Sequence, residues 1–250
     1  PQAELGTGTV RGVEALVRWA HPTLGLVAPA QFLPLAEQSG LTRALTEFVL
    51  RRALEQIGER RREGFDLKVA VNLGPADLVD LGLPLEVAQL LGASAFPAGA
   101  LELEVSENVV MGDPERTVDV LARLREVGVG ISLDDFGVGH ASLAHLKQLK
   151  VDELKIDRSF VLGMADDEND AAIVYSTVDL AHRLGLRVIA EGVETQATWE
   201  LLAECGCDQA QGHFLRRSMP AKALATWLRE ISRLPAVPES AQPWLVNHLC

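Results

Sequence analysis

Gly130-Ile-Ser-Leu-Asp-Asp-Phe-Gly-Val-Gly139 decides how the rest of the chain is read. Residues 129–133 form a short, mostly apolar, β-leaning run, as expected of a strand covered on both faces. Asp134 and Asp135 close that run, and Gly137 and Gly139 follow as a sharp turn. Two adjacent carboxylates at the end of a buried strand are costly as bare anions, and a divalent cation between them removes the cost. Taken alone, the pair is better explained as a solvated loop, so the remaining strands decide.

Outward from this stretch, strands and helices alternate. Upstream, residues 1–5 and 9–17 read as strands around the turn Gly6-Thr-Gly8. Pro29 opens a helix that Gly40 ends, and Thr42 is expected to cap a long amphipathic helix ending at Arg60-Arg-Arg62. Those arginines suit the helix C-terminal dipole and read as a solvated face, not as a nucleic-acid patch. Strands at 67–73 and 101–105 and helices at 84–91 and 113–127 lead into the central strand. Downstream, strands are expected at 153–157, 187–193 and 207–214, separated by helices at 142–149, 170–184, 195–205 and 220–234. Residues 235–250 read as a C-terminal tail or linker, which leaves 1–234 as the single domain. Seven strands alternating with helices, with an eighth from the first residues, predict an α/β fold closed as a TIM-like (β/α)8 barrel. An open doubly wound sheet is the alternative; Gly137-Val-Gly139 lacks the third glycine and following acid of a dinucleotide loop.

The chain has 250 residues, is 48% hydrophobic and carries a formal charge of -12, enough for a sizeable core with an acidic surface. That charge argues against DNA, RNA or anionic membrane as partners, while a small phosphorylated ligand is compatible if metal ions reverse the local sign. No apolar run approaches a membrane span. Cys205, Cys207 and Cys250 make no disulfide framework, so a reducing, cytoplasmic setting is expected. Cys205-Gly-Cys207 lacks the second pair of a metal site. The chain starts without Met and is expected to be part of something longer.

Polar residues recur inside or at the ends of the apolar strands: Glu14, Asn72, Glu104, Asp134, Asp135, Lys155, Glu191 and Gln211. In a barrel, strand ends on one face converge. Five carboxylates and two amides with a single lysine form an oxygen-donor set suited to Mg2+ or Mn2+ and poor for Zn2+. So many acids together invite two ions, the usual arrangement for phosphodiester hydrolysis. Each residue has a plainer explanation: Glu14 as an ion-pair partner of Arg18, Asn72 as a loop hydrogen-bonder, Lys155 or Gln211 as exposed strand residues, Glu191 and Glu194 as helix-entry acids. Taken jointly, those explanations require every strand to carry an unrelated polar residue at the same end.

Gly12-Val-Glu-Ala-Leu-Val-Arg-Trp19, followed by His21-Pro22, resembles the signature of EAL-domain cyclic di-GMP phosphodiesterases. Val71-Asn-Leu73, Glu104-Val-Ser-Glu107, Asp134-Asp-Phe-Gly137, Lys155-Ile-Asp157, Ile189-Ala-Glu-Gly-Val-Glu-Thr195 and Ala210-Gln-Gly212 match in the family's order. The resemblance implies a modified (β/α)8 barrel with an antiparallel first strand. It implies hydrolysis of cyclic di-GMP to linear pGpG with two Mg2+ or Mn2+ ions. By position, Glu14, Asn72 and Glu104 resemble ligands of one ion, Asp134 the bridging ligand, and Asp135 and Glu191 ligands of the other. Lys155 resembles the lysine that orients the attacking water, and Glu191 has a second role as a candidate base. Arg18, Gln211, Asp157 and Glu194 resemble substrate-site residues, and Glu107 the anchor of the loop after the aspartates. The resemblance further implies a homodimer and a neighbouring sensory or diguanylate cyclase domain.

The sequence departs from the family in four places. The loop reads Val138-Gly-His140-Ala141 where the family has small hydroxyl residues and a tyrosine. Gly74 stands where Ser is common, and 212–220 lacks the usual Gly-Tyr and Arg-Pro elements. The family's first strand carries a glutamine before its proline; this chain begins at Pro1, so a truncated first strand with an open sheet edge is expected. The loop changes and the absent glutamine point to the alternative of a weak or inactive EAL domain acting as a cyclic di-GMP receptor or protein-interaction module.

Overall fold

The computed structural model describes residues 1–110, 112–138, 146 and 148–231. The expected helix at 142–149, the loop positions His140 and Ala141, Cys250, and the tail at 235–250 lie essentially outside that set. Ten strands are described: β1 (Gln2–Glu4), β2 (Val10–Glu14), β3 (Trp19–His21), β4 (Gly25–Val27), β5 (Lys68–Leu73), β6 (Leu101–Ser106), β7 (Gly130–Phe136), β8 (Glu153–Ile156), β9 (Arg187–Glu191) and β10 (Gln209–Gln211). Eight of them close a barrel in the order β1-β10-β9-β8-β7-β6-β5-β2, while β3 and β4 form a separate hairpin. The closed order excludes the open doubly wound sheet.

β1 runs antiparallel to both neighbours, pairing Ala3 with Ala210 of β10 and Ala3 with Val10 of β2. The expected open edge is therefore not there. Three residues are enough to satisfy the flanking ladders, because Gln2 and Ala3 pair on both sides.

The inward and outward faces of the barrel differ in chemistry, yet both are buried. β6 reads Leu101-Glu-Leu-Glu-Val105; Leu101, Leu103 and Val105 pack outward in the core shared with the helices, and Glu102 and Glu104 point inward. Val69 and Val71, Ile131 and Leu133, Leu154 and Ile156 repeat the outward row on β5, β7 and β8. Amphipathic helices cover this layer; Pro114–Val127 buries Thr117, Val120, Leu121 and Leu124 and is capped by Asp113, which accepts from Arg116 N–H.

Some boundaries moved for local reasons. Thr42 begins its helix but does not cap it: Leu41 is the cap residue, placed by its N–H bond to Ala36 O at 2.8 Å across the Gly40 turn. β2 ends at Glu14, β9 at Glu191 and β10 spans only three residues, although single ladder-type bonds continue from Ala15 N–H to Ala70 O and from Val193 N–H to Gln211 O. β7 runs on through the Asp pair to Phe136.

Candidate active site

The carboxyl ends of the barrel strands carry a connected ring of polar side chains. Asn72 donates to Glu14 Oε1 at 2.8 Å and to Glu104 Oε2 at 3.0 Å. Gln211 donates to Glu14 Oε2 at 2.5 Å, which joins β10 to β2 across the closing strand. Lys155 Nζ lies 2.8 Å from Glu104, 2.6 Å from Glu191 and 3.4 Å from Asp134. These are close ion contacts more than aligned hydrogen bonds, since Nζ and Glu104 Oε1 have no partner in good hydrogen-bond geometry.

Side chains on a regular strand alternate faces, so Asp134 and Asp135 should point opposite ways. A β-bulge prevents this. Leu133 pairs with Leu154 and Phe136 with Ile156, which sets two aspartates against the single Lys155. Asp135 takes a left-handed backbone, φ 57°, and its N–H bonds Asp134 Oδ1 at 2.9 Å. A non-glycine residue held there costs about 1–3 kcal/mol. From the following turn Gly137 donates to Glu107 at 3.1 Å.

The electrostatics follow from crowding. Burial pushes the Glu104 carboxyl well above the usual carboxylate range, against the pull of Lys155. Burial raises Glu191 to about 7, again against Lys155. Asp135 is raised by burial and by the neighbouring Asp134 and Asp157. Burial lowers the Lys155 ammonium, but Glu104, Glu191, Asp134 and Glu14 outweigh it and hold it charged.

Three of the expected site residues stand apart from this ring. Arg18 does not pair with Glu14; it is exposed and donates to Val17 O at 2.8 Å. Asp157 caps the helix Arg158–Gly163, accepting from Ser159 N–H at 2.9 Å and from its hydroxyl at 2.5 Å. Glu194 is exposed at the rim, 3.5 Å from His213 Nδ1.

Among the described residues no three carboxylates or imidazoles stand as a preformed metal cage; the Lys155 ammonium sits where the carboxylates meet. The donor chemistry nevertheless fits hard divalent cations. Glu14, Glu104, Asp134, Asp135 and Glu191 leave four formal negative charges after Lys155 is counted, and burial pushes the Glu104 and Glu191 carboxyls up, as expected of acids crowded without a metal ion.

A second polar cluster at the amino ends of the strands was not read from the sequence. Lys68 Nζ bonds buried Glu102 at 3.0 Å, and Arg187 lies 3.4 Å from buried Glu153. Burial and Glu102 push Glu153 up to about 7. The signal available was the Leu-Glu-Leu-Glu alternation of β6 together with charges at the starts of β5, β8 and β9.

An eight-stranded α/β barrel with an antiparallel first strand and a ring of acids and amides around one buried lysine defines a TIM-like barrel with an oxygen-donor mouth. The chain belongs to the EAL domain family, whose profile matches residues 1–218. It is 39% identical over 229 residues to cyclic di-GMP phosphodiesterase PA2567 of Pseudomonas aeruginosa, covering 92% of this chain and 39% of that protein. It is 44% identical over 225 residues to the bifunctional diguanylate cyclase/cyclic di-GMP phosphodiesterase MucR of the same organism, covering 90% of this chain and 33% of that one. The solved PaMucR phosphodiesterase in complex with c-di-GMP matches with TM-score 0.85 at 44% identity, covering 90% of this chain and 91% of that chain. The chain thus spans about a third of the curated relatives' length. Among the described residues no helix is long and apolar enough to cross a membrane.

Proposed function

We propose that this chain is a cyclic di-GMP phosphodiesterase that opens one phosphodiester of the ring to give linear pGpG. The water oxygen joins phosphorus, the P–O3′ bond breaks and the 3′ oxygen leaves as a hydroxyl. The observation that carries the reading is the buried Lys155 held by Glu104, Asp134 and Glu191, in a chain 39–44% identical to named phosphodiesterases.

Glu14, Asn72 and Glu104 would hold one Mg2+ or Mn2+, Asp135 and Glu191 a second, with Asp134 between them. Asn72 turns its NH2 toward Glu14 and Glu104, so holding an ion requires its amide to rotate and present oxygen. Bound there, the ions supply an acidified water and positive charge beside the phosphate. Lys155 donates toward the attacking oxygen and opposes the charge that develops on phosphate. Glu191 is the candidate base of this reading, its carboxyl pushed up by burial in the metal-free site. Arg18, exposed and donating to Val17 O among the described residues, would turn to a substrate phosphate, with Gln211, Asp157 and Glu194 around the base or sugar. A cytoplasmic location, a homodimer and fusion to a sensory or diguanylate cyclase domain are part of the same proposal.

The test is incubation with cyclic di-GMP and Mn2+ followed by chromatographic separation of nucleotides. Appearance of pGpG supports the reading. No pGpG at high enzyme concentration, with cyclic di-GMP still bound in calorimetry, replaces it by the receptor function.

A further inference from the structure

Two turns that directly follow site residues press against one short helix. Gly137 comes two residues after Asp135 with φ 99°, and Gly192 comes one after Glu191 with φ 72°. A Cβ on Gly137 would lie 3.0 Å from Phe160 Cε2, and one on Gly192 would lie 2.6 Å from Arg158 Cβ and 3.2 Å from its Cα. Arg158 and Phe160 belong to the same helix, Arg158–Gly163, which starts at the Asp157 cap, two residues after Lys155. Six residues do not hold a helix unaided. This one is fixed by Asp157 at its start, by Val161 buried at 0% exposure, and by a close approach of Gly163 to Asp170 on the helix Glu168–Arg183.

We infer that the helix Arg158–Gly163 is a wedge that sets the spacing between the Asp134–Asp135 bulge and Glu191 around Lys155, with Phe160 as its positioning residue. Gly137 is clamped: the Phe160 ring meets it on one side, and the Glu107 carboxylate takes its N–H at 3.1 Å. On the other flank the Arg158 Cα and Cβ carry the Gly192 backbone, and the next residue, Val193, donates to Gln211 O at 3.1 Å. Both turns can approach this closely only because neither carries a side chain. A shift of the helix therefore moves the carboxylates of two strands relative to the lysine between them. The catalytic consequence rests on the proposed hydrolysis; the coupling of the two turns does not.

The experiment uses Phe160→Ala and Phe160→Leu in the full chain, with amide hydrogen exchange on the metal-free protein and steady-state kinetics with Mn2+ and cyclic di-GMP. The alanine variant is expected to speed exchange at both Gly137 and Val193 by tenfold or more, with Ile131 and Val188 unchanged. It is expected to lower kcat by tenfold or more with KM within about threefold, as for an ångström-scale misplacement of reacting groups. Leucine, which keeps most of the contact, is expected to restore at least half of kcat. Unchanged exchange at Val193 overturns the wedge, as does full kcat in the alanine variant of an active enzyme. If the wild-type chain shows no turnover, the hydrolase reading fails and the exchange arm still decides the coupling. If the alanine variant does not fold, Gly192→Ala takes its place: its methyl pushes Arg158, and faster exchange at Gly137 across the helix is expected, whereas unchanged exchange there refutes the wedge.

Discussion

Replacing Glu153 by glutamine is expected to stabilise the metal-free protein at pH 8 and not at pH 5. Glu153 lies at the base of the barrel, its side chain 5% exposed, 3.4 Å from Arg187. Burial and the neighbouring Glu102 raise its pKa from 4.5 to about 7. The folded value lies above the unfolded one. The stability this carboxyl contributes as an acid is therefore complete below about pH 4.5 and is lost as pH rises through about 7. At about 1.4 kcal/mol per pH unit, that interval corresponds to roughly 3 kcal/mol of destabilisation at pH 8. Glutamine keeps the shape and an acceptor for Arg187 but cannot ionise. For a chain of this size, about 2–3 kcal/mol corresponds to a Tm rise of roughly 4–12 °C. Calorimetric melts in chelator at pH 5 and pH 8 measure the difference. A lower Tm for Glu153→Gln at pH 8 would refute the reasoning, because the ion pair with Arg187 would then outweigh burial and the repulsion from Glu102.

Glu14→Ala and Asp134→Asn are expected to abolish pGpG formation while Tm in chelator holds or rises, since each removes an anion from a crowded cluster; a large fall in Tm for both would identify them as structural ion-pair residues. Lys155→Ala is expected to cost about 10²–10³ in rate with Mn2+ affinity nearly intact, read by kinetics beside calorimetric titration. In chelator the same variant should melt earlier, because it leaves Glu104 and Glu191 without their counter-charge, and Mn2+ should recover the loss. Mn2+ is expected to raise the wild-type Tm more at pH 8 than at pH 5, since Glu191, raised to about 7, must lose its proton to hold the ion. An equal rise at both values would remove Glu191 from the ligand set.

Much of the site was legible because a buried strand tolerates a polar residue only for a reason. Glu104 on β6 and Lys155 on β8 stand out from leucine and isoleucine neighbours, and both are fully buried. The alternation that exposes them also misleads. Leu-Glu-Leu-Glu reads as a half-solvated strand, whereas both faces of β6 are covered, and its first glutamate belongs to a charged base layer with Lys68, Glu153 and Arg187. The hairpin of β3 and β4 escaped because three-residue strands carry no periodicity, although His21-Pro22-Thr-Leu-Gly25 was a turn signal. The helix Arg158–Gly163 escaped for the same reason; Asp157 followed by Ser159 was its cap signature. The pose of Arg18 and the capping role of Asp157 depend on local geometry that no motif encodes.

The bulge in β7 also changes how the segment counts. Leu133 and Phe136 both face the helices although an even number of residues separates them, because one surplus residue resets the parity of the strand. Substituting either aspartate alters a charge and leaves that count intact. Deleting one restores an unbroken ladder in which the remaining aspartate stands alone against Lys155 and Phe136 keeps Ile156 as its partner, so the mouth loses a carboxylate together with the left-handed turn at Asp135. Between Leu133 and Phe136 the chain is thus constrained in number as tightly as in chemistry, so a gap there changes the site in a way no single substitution reproduces.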